Sequence, residues 1–274
     1  MRQPCAPPAP DRDHGETGVR PTQLCYPPNP DFGSGLCRRW IHVTREKGRV
    51  AADLADNFHE MSCTIEHDGE QVTGVVGQTV RIPTSACPAA ASLLPELIGT
   101  SLKQSPALYY QDSRARRHCT HLYDLAILAI RHAARGGGTT EYVAVVPDET
   151  DRPVEIGIDR DGDPVHRWEI RNGVIVSPQQ LAGRTLGRGF ARWAAAHWSD
   201  DEFDAATILS RTWLIAIGRQ YAIDRVAGQP VPRNQEMIGR CFAYDPVRAS
   251  DTVFVAGSIR DSRAGEQTAR EVEP

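Results

Sequence analysis

Three two-residue turns constrain the fold of this chain more than any other feature of its sequence. Asp68-Gly69, Asp161-Gly162 and Asn172-Gly173 each separate two segments that are rich in β-branched and apolar residues. Asp-Gly and Asn-Gly pairs favour tight turns, because such turns need a positive φ that these residues adopt at little cost. The pattern predicts antiparallel strands in both halves of the chain.

Alternation of apolar and polar residues predicts further strands, and apolar residues at helical spacing predict helices. In the segment 58–65, alternation places His59, Met61 and Cys63 on one face of a strand, so Cys63 is expected in the core. The strands are expected at 38–44, 50–56, 58–65, 72–82, 141–146, 154–158 and 165–170, with late strands at 242–244 and 252–259. The helices are expected at 89–98, 118–134, 188–198 and 200–223. An antiparallel sheet with helices on one face is an α+β fold, which is the class we predict.

Changes in composition divide the chain into four segments. Residues 1–37 are rich in proline and are expected to form an extended arm. Residues 263–274 are charged and are expected to form a disordered tail. Gly136-Gly137-Gly138 marks an internal boundary, which separates a first domain, 38–136, from an appended α+β domain, 139–262.

Charge and hydropathy indicate the classes of partner. The formal net charge is −4, so no basic field indicates nucleic-acid binding. Mean hydropathy is −0.42, and no apolar run approaches the roughly 18 residues of a membrane span. We therefore expect no nucleic-acid partner and no membrane partner, and the sequence sets no oligomeric state.

Cysteine usage and the first residues indicate a compartment. Seven cysteines, an odd number spread along the chain, disfavour a disulfide framework and indicate reduced thiols. The segment 1–10 lacks the apolar core of a secretory signal. Both observations favour a cytoplasmic protein.

Three short stretches place cysteine or histidine at the ends of predicted elements. They are Asp56-Asn57-Phe58-His59-Glu60, Ala86-Cys87-Pro88 and His118-Cys119-Thr120-His121-Leu122. Cys87 and Cys119 fall at helix N-termini, where free N–H groups and the helix dipole favour the thiolate that binds metal. The distances along the chain exclude a local zinc-finger pattern.

The order of these residues and elements resembles the IscU, NifU and SufU class of iron–sulfur cluster scaffolds. In that class, ligands come from a Cys-Gly-Asp segment before a strand, a Cys after a hairpin, and a His-Cys or Cys at the last helix. The resemblance covers about residues 50–135 and implies an IscU-like antiparallel sheet. The whole chain also resembles a bacterial family of undetermined activity with the motifs Cys-Pro-x-Ala, here Cys87 to Ala90, and Cys-Thr-His-Leu, here Cys119 to Leu122.

The scaffold resemblance implies a metal site formed by His59, Cys87 and Cys119. The scaffold Asp falls on His59, the middle Cys on Cys87, and the His-Cys pair on His118-Cys119. The first scaffold Cys falls on Asn57, which supplies no thiolate. The chain therefore offers fewer ligands than a scaffold does, and the fourth position stays open.

A metal with an open position is typical of a catalytic site. The fourth position is left to His118, His121, Asp56 or water, and the same three side chains are the candidates for moving protons. The first hypothesis is a zinc-dependent, or iron-dependent, lyase, hydrolase or isomerase that acts on a small-molecule substrate. The alternatives are an iron–sulfur cluster scaffold or carrier and a protein with a purely structural zinc site.

The second half of the chain is expected to complete the site. The candidates for the walls of an apolar pocket are Trp193, Trp198, Trp213 and Tyr221. Arg211 and Arg219 lie on the predicted helix 200–223, where an ion pair with Glu202 or Asp204 is favoured over binding of a substrate anion.

Overall fold

A computed structural model describes residues 26–111, 114–231 and 237–260, together with the backbone of 262–263. The predicted Pro-rich arm lies outside the described residues up to position 25. Its last residues, 35–37, belong to the first strand. The predicted tail lies outside the described residues, apart from the backbone of its first residue.

Nine strands form one antiparallel sheet in the order β4-β3-β2-β1-β5-β6-β7-β8, with β9 paired to the start of β1. The strands are β1 Gly35–Glu46, β2 Arg49–Ala55, β3 Glu60–His67, β4 Val72–Arg81, β5 Gly138–Pro147, β6 Val154–Arg160, β7 Asp163–Arg171, β8 Val174–Ser177 and β9 Ser262–Arg263. The predicted strands of both halves, from 38–44 to 165–170, are confirmed.

The predicted turns at Asp161-Gly162 and Asn172-Gly173 are confirmed as two-residue turns, whereas Asp68-Gly69 lies in a four-residue connection, 68–71, between β3 and β4. Asp161 and Gly162 have φ values of +53° and +87°, and Asn172 and Gly173 have +51° and +68°. Two successive positive φ values define the tight turn that follows the twist of an antiparallel pair. These turns join β6 to β7 and β7 to β8.

The helices cover one face of the sheet. They are α1 Pro106–Tyr109, α2 Arg114–Arg117, α3 Thr120–Ala133, α4 Phe190–His197 and α5 Asp200–Ala216. α3 packs on β2 and β3, and α5 packs on β1, β5 and β6. The fold is therefore α+β, with an antiparallel sheet and helices on one face. Within the described residues, no helix is long and apolar enough to cross a membrane.

α3 shows how sequence spacing positions a helix in this fold. Its apolar residues at helical spacing, Leu122, Leu125, Ala126, Ala129 and Ile130, are all buried. The stripe that they form packs on the sheet, since burying it removes apolar surface from water. This orientation points the first turn of α3 towards the ends of β2 and β3.

Several predicted elements differ in the structure. Residues 87–97 form a 3₁₀ helix with Pro95 inside it, and a proline, which lacks an N–H, interrupts regular α-helical hydrogen bonding. The predicted strands 242–244 and 252–259 are wrong: Phe242–Tyr244 is a 3₁₀ helix. The segment 252–259 makes only isolated bridges, such as Thr84 to Phe254, within the part of the chain described.

The sheet crosses the boundary predicted at Gly136-Gly137-Gly138. β1 pairs with β5 over ten residue pairs, from Leu36–Pro147 to Arg45–Gly138. Buried residues of the segments 38–136 and 139–262 share one hydrophobic core. The two segments are therefore joined by continuous strand pairing and by a common core.

Candidate functional site

Four sequence-predicted residues meet where the ends of β2 and β3 face the first turn of α3. Asp56 follows β2, and His59 directly precedes β3. Cys119 is the N-cap residue of α3, and His121 lies in its first turn. The sequence analysis named all four, and the structure brings them together.

Asp56 organises the loop between β2 and β3. Its Oδ1 accepts hydrogen bonds from the backbone N–H groups of Phe58 and His59, each at 2.8 Å. Its Oδ2 accepts Nη2 and Nε of Arg39 at 2.6 and 3.1 Å. Burial opposes the charge of this carboxylate, but His59 and Arg39 outweigh burial and hold the pKa of Asp56 well below its usual value. Asp56 is therefore an anion at neutral pH.

His59 is oriented by Asp56. Its Nδ1 lies 3.0 Å from Asp56 Oδ1, and an ionised carboxylate only accepts, so Nδ1 carries the proton. Nε2 is then the ring nitrogen that is left for another partner. The ring stacks on His121 with centroids 4.0 Å apart and an interplanar angle of 27°.

His121 is the second imidazole of the cluster. Burial, the neighbouring His59 and Arg39 lower the pKa of His121 well below its usual value. Its Nδ1 lies 4.0 Å from Cys119 Sγ. The two side chains can approach because Cys119 precedes the first turn, with N-cap backbone angles of −64° and 114°. His121 is therefore a neutral ring at neutral pH.

His121 faces a cleft between α3 and α5, above β1 and β2. The cleft has a volume of about 30 Å³, which is room for a few waters or a small functional group. Its polar lining includes Arg39, Tyr110, His121, Asp124, Thr207 and Arg211. Its apolar lining includes Ile41, Leu54, Leu125, Phe203 and Ile208.

The second half of the chain lines this cleft through α5, but with residues other than the predicted aromatic ones. Trp193 and Trp198 pack against each other with ring centroids 5.2 Å apart. The indole of Trp213 donates to Glu149 at 3.2 Å. Neither these tryptophans nor Tyr221 belong to the described lining of the cleft.

Two arginines of the second half form ion pairs with partners other than those predicted. Arg211 Nε donates to Asp124 Oδ2 at 2.6 Å, which joins α5 to α3. Arg219 Nε donates to Asp148 Oδ1 at 2.7 Å. The preference for an ion pair is confirmed, while Glu202 and Asp204 are the wrong partners.

Three thiols lie near the start of α3. Burial raises the pKa of Cys119, and Cys87 and Cys241 lie close enough for their charges to raise it further. The backbone N–H of Phe242 donates to the carbonyl of His118 at 2.9 Å, which fixes Cys241 beside this segment. Cys63 lies apart, buried in the sheet core as predicted.

Burial decides the protonation of these thiols. It raises the pKa of Cys87, against hydrogen bonds from Thr84, whose Oγ1 lies 3.1 Å from the sulfur. It also raises the pKa of Cys119, against backbone N–H groups of the first turn of α3. The helix N-termini therefore do not by themselves produce the thiolates that their position suggested.

His118 lies on another side of the start of α3 from His59 and His121. It precedes the N-cap residue, so the helical spacing with His121 does not apply to it. Its ring stacks on Tyr123 with centroids 4.6 Å apart, and Glu96 Oε2 lies 3.5 Å from its Nε2. The structure does not bring His118 to the cleft.

The C-terminal segment closes the back of the Asp56–His59 loop. Asn57 Nδ2 donates to the carbonyl of Arg260 at 2.9 Å, and Arg260 N donates to the carbonyl of Asn57 at 2.8 Å. Arg81 Nη1 donates to the carbonyl of Ser258 at 2.7 Å. Asn57 therefore has a structural role here.

The cluster of Asp56, His59, Cys119 and His121 fits a metal ion only in part. The carboxylate-bound Nδ1 of His59 leaves Nε2 available, as in many metal-binding histidines. The rings of His59 and His121, however, are stacked face to face with centroids 4.0 Å apart, whereas two histidines that bind one metal ion point their ring nitrogens at it. Across 26–111, 114–231 and 237–260, no three His, Cys, Asp or Glu side chains are arranged to hold a metal ion. The ligand set of His59, Cys87 and Cys119 stays a prediction.

Comparison with known proteins adds no relative. No protein-family model matches the chain, and no curated protein is significantly similar to it. The arguments for function therefore rest on the cluster and the cleft.

Sequence reasoning missed Arg39 and Cys241. Arg39 occupies an inward position of β1 between the buried Cys37 and Ile41. A charged residue within such an apolar alternation is a signal that could have identified it, because burying an arginine requires a partner. Cys241 offered no such local signal.

Proposed function

We propose that this chain is an enzyme that acts on a small organic molecule in the cleft between α3 and α5. His121 is the residue that transfers the proton. One observation carries the proposal: His121 lines the cleft and stacks at 4.0 Å on His59, which the buried Asp56 holds in place.

His121 is in the protonation state that a general base requires. Its pKa lies well below its usual value, so the ring is neutral at neutral pH and its free nitrogen can accept a proton. Burial and the positive charges that lower this pKa also weaken the base, and the Asp56 anion opposes that effect. Asp56 and His59 act as positioning residues, since neither belongs to the described lining of the cleft.

This arrangement supports chemistry that begins with proton abstraction. The reactions of this kind are lyase, isomerase and hydrolase reactions, in which a base removes a proton from carbon or from water. The apolar wall of the cleft limits access of water to the base. The volume of about 30 Å³ admits the reacting group of a small substrate.

Comparison of a His121→Gln variant with the wild type tests this proposal. Both proteins are incubated with a metabolite extract, and the extract is analysed by mass spectrometry. We expect the wild type to change the amount of at least one small metabolite, and His121→Gln to leave it unchanged. His197→Gln is the control, because His197 is an exposed histidine of α4. Equal turnover by His121→Gln and the wild type would contradict the proposal.

A metal-dependent form of the enzyme is the second candidate. It is supported by the carboxylate-bound ring of His59 and by the nearby thiols of Cys87 and Cys119. These residues would hold zinc, or alternatively iron or an iron–sulfur cluster if the scaffold resemblance is functional. When bound, such a metal supplies Lewis-acid chemistry. Because the described side chains fit a metal ion only in part, we assign no step of the reaction to the metal.

Metal analysis of the purified full chain tests the second candidate. We expect Cys87→Ser and Cys119→Ser to lose bound metal and Cys63→Ser to keep it, because Cys63 is a core residue of β3. An iron–sulfur chromophore after anaerobic purification would favour a scaffold or carrier. Equal metal contents in all three variants and the wild type would exclude this ligand set.

A further inference from the structure

The cleft contains an arginine whose hydrogen-bonding capacity is only partly used. Arg211 Nε donates to Asp124 Oδ2 at 2.6 Å. Among the described residues, the two terminal amino groups of Arg211 make no hydrogen bond, and neither is a buried unpaired atom. The side chain is 26% exposed and lines the cleft. Its terminal donors are therefore available to a ligand.

The other two arginines of the cleft are committed to carboxylates. Arg39 directs both Nε and Nη2 at Asp56. Arg131 Nε donates to Asp204 Oδ1 at 2.6 Å. Among the arginines of the described lining, Arg211 is therefore the one whose two terminal amino groups are both available to a ligand. A guanidinium fork matches the two oxygens of a carboxylate better than it matches a single polar atom.

The rest of the lining limits what a bound carboxylate can carry. The wall beyond the polar residues is formed by aliphatic and aromatic side chains, among them Leu54, Leu125 and Phe203. The volume of about 30 Å³ leaves no room for a large group. The carboxylate group itself matches this volume, and a short apolar chain attached to it extends towards the side on which Arg211 is exposed.

We propose that the cleft binds short-chain monocarboxylates and that Arg211 holds the carboxylate group. The inference rests on the proposed function, because it names the substrate class for the site in which His121 is the base. A ligand held by Arg211 occupies the same cleft as His121, so its carbon chain is presented to the base.

Binding of two matched probes to the full chain tests the inference. Propionate carries the carboxylate, and propionamide has nearly the same shape without the charge. We expect ligand-observed NMR titrations to show propionate binding at least about tenfold tighter, because charge-assisted hydrogen bonds exceed neutral ones by this order. Propylammonium is expected not to bind.

Two variants test whether Arg211 is the residue that binds propionate. Arg211→Gln leaves Asp124 without its partner, so the double variant Arg211→Gln/Asp124→Asn, which removes both charges and keeps both side chains polar, is the second test. We expect the double variant to bind propionate at least about tenfold more weakly than the wild type. Asp124→Asn alone retains the guanidinium and is expected to bind propionate at least as tightly as the wild type.

Each contrary outcome overturns the inference. Equal affinities for propionate and propionamide, undiminished binding by the double variant, or no propionate binding by the wild type would show that Arg211 only joins α5 to α3. His121→Gln separates the two proposals. If it keeps turnover while the double variant loses propionate binding, the assignment of the base is wrong and the carboxylate specificity stands. If it loses turnover while propionate and propionamide bind equally, the base stands and the carboxylate specificity is wrong.

Discussion

The two ends of α3 both place a histidine among arginines and aspartates. At the C-terminal end, His132 is fully buried. Arg45 Nη1 donates to its Nδ1 at 3.0 Å, and the Tyr142 hydroxyl lies 3.2 Å from its Nε2. At the N-terminal end, His121 faces a cleft, and the nearest polar atom recorded for its Nδ1 is the sulfur of Cys119 at 4.0 Å.

A lowered pKa does not distinguish these two histidines. Burial, together with Arg135 and Arg45, lowers the pKa of His132 to about 2. Burial, together with His59 and Arg39, lowers the pKa of His121 as well. The two differ in access and in unused hydrogen-bonding capacity. The comparison teaches that a buried, neutral imidazole indicates a site only when a ligand can reach it.

Substitution of Asp204, at the C-terminal end of α3, should have the largest effect on stability. Its carboxylate, 2% exposed, accepts Arg131 Nε at 2.6 Å and Arg135 Nη2 at 2.5 Å. Asp204→Ala leaves both guanidiniums without this partner, so we expect the free energy of unfolding to fall by about 3–5 kcal/mol. Urea denaturation measures this change.

The control for Asp204 is its neighbour Asp201. Asp201 pairs with Arg135 at 2.7 Å, but its side chain is 36% exposed. Asp201→Ala is expected to cost less than about 1 kcal/mol, because solvent screens exposed ion pairs. Similar losses of stability in the two variants would contradict a structural role for the buried ion pairs at the C-terminal end of α3.

Substitution of His121 should act on turnover and not on stability. We expect His121→Gln to reduce kcat at least about 100-fold, which is the usual contribution of a positioned general base. The free energy of unfolding should change by less than about 1 kcal/mol, because no strong hydrogen bond of His121 is lost. Steady-state kinetics and urea denaturation of one preparation measure both. A large loss of stability with full activity would reverse the roles assigned to the two ends.

Substitution of His132 should give the opposite result. His132→Gln disturbs the contacts with Arg45 and Tyr142, so we expect a loss of about 1–3 kcal/mol in the free energy of unfolding. Turnover per folded molecule should stay near that of the wild type, because His132 does not belong to the described lining of the cleft. A fall of kcat comparable to that of His121→Gln would show that the two ends of α3 are coupled.

The pH dependence of stability should reveal the lowered pKa values of both histidines, and this effect is smaller than those of the substitutions above. In the unfolded chain they bind protons below about pH 6.5, whereas their lowered pKa values keep them neutral in the folded chain. Stability is therefore complete above that pH and falls as the pH decreases, by up to about 1.4 kcal/mol per pH unit for each histidine. Burial also lowers the pKa of His118 and His166, which add to the slope.

Denaturation between about pH 5 and 6.5 separates these histidines from the exposed carboxylates, which titrate at lower pH. Burial raises the pKa of Asp204, so the histidine variants, and not the wild-type slope alone, make the assignment. His121→Gln and His132→Gln should each reduce the wild-type slope by up to about 1.4 kcal/mol per pH unit. A slope that is unchanged in His121→Gln would mean that this ring binds protons equally in the folded and unfolded chains. The pKa of His121 would then not be lowered by folding, which would contradict the neutral state from which its role as a base is argued.

The sequence predicted the parts of the fold that local rules determine. The turn at Asn172-Gly173 follows from the φ preferences of two adjacent residues, and α3 follows from one apolar stripe. The segment 252–259 has a strand-like composition but forms only isolated bridges in the part of the chain described. Its conformation depends on distant segments, such as the one around Thr84, which no local pattern reveals.

The same distinction applies to the site. The sequence identified Asp56, His59 and His121 as candidates because each lies at the end of a predicted strand or helix. The Arg211–Asp124 pair could not, since helical spacing gives the face on which Arg211 lies but not the helix that packs against it. The sequence therefore predicted a chemical cluster, whereas the cleft depends on the packing of α5 beside α3.

The hydrogen bonds between Asn57 and Arg260 have a consequence for synthesis. The two residues are 203 positions apart, and a ribosome that adds about 5–20 residues per second needs roughly 10–40 s to cover that distance. Throughout this interval the nascent loop that holds Asp56 and His59 lacks the backbone partners that later anchor it. The loop is therefore anchored only after Arg260 has been added, and a chain released before that point has the helices and most of the strands without these hydrogen bonds.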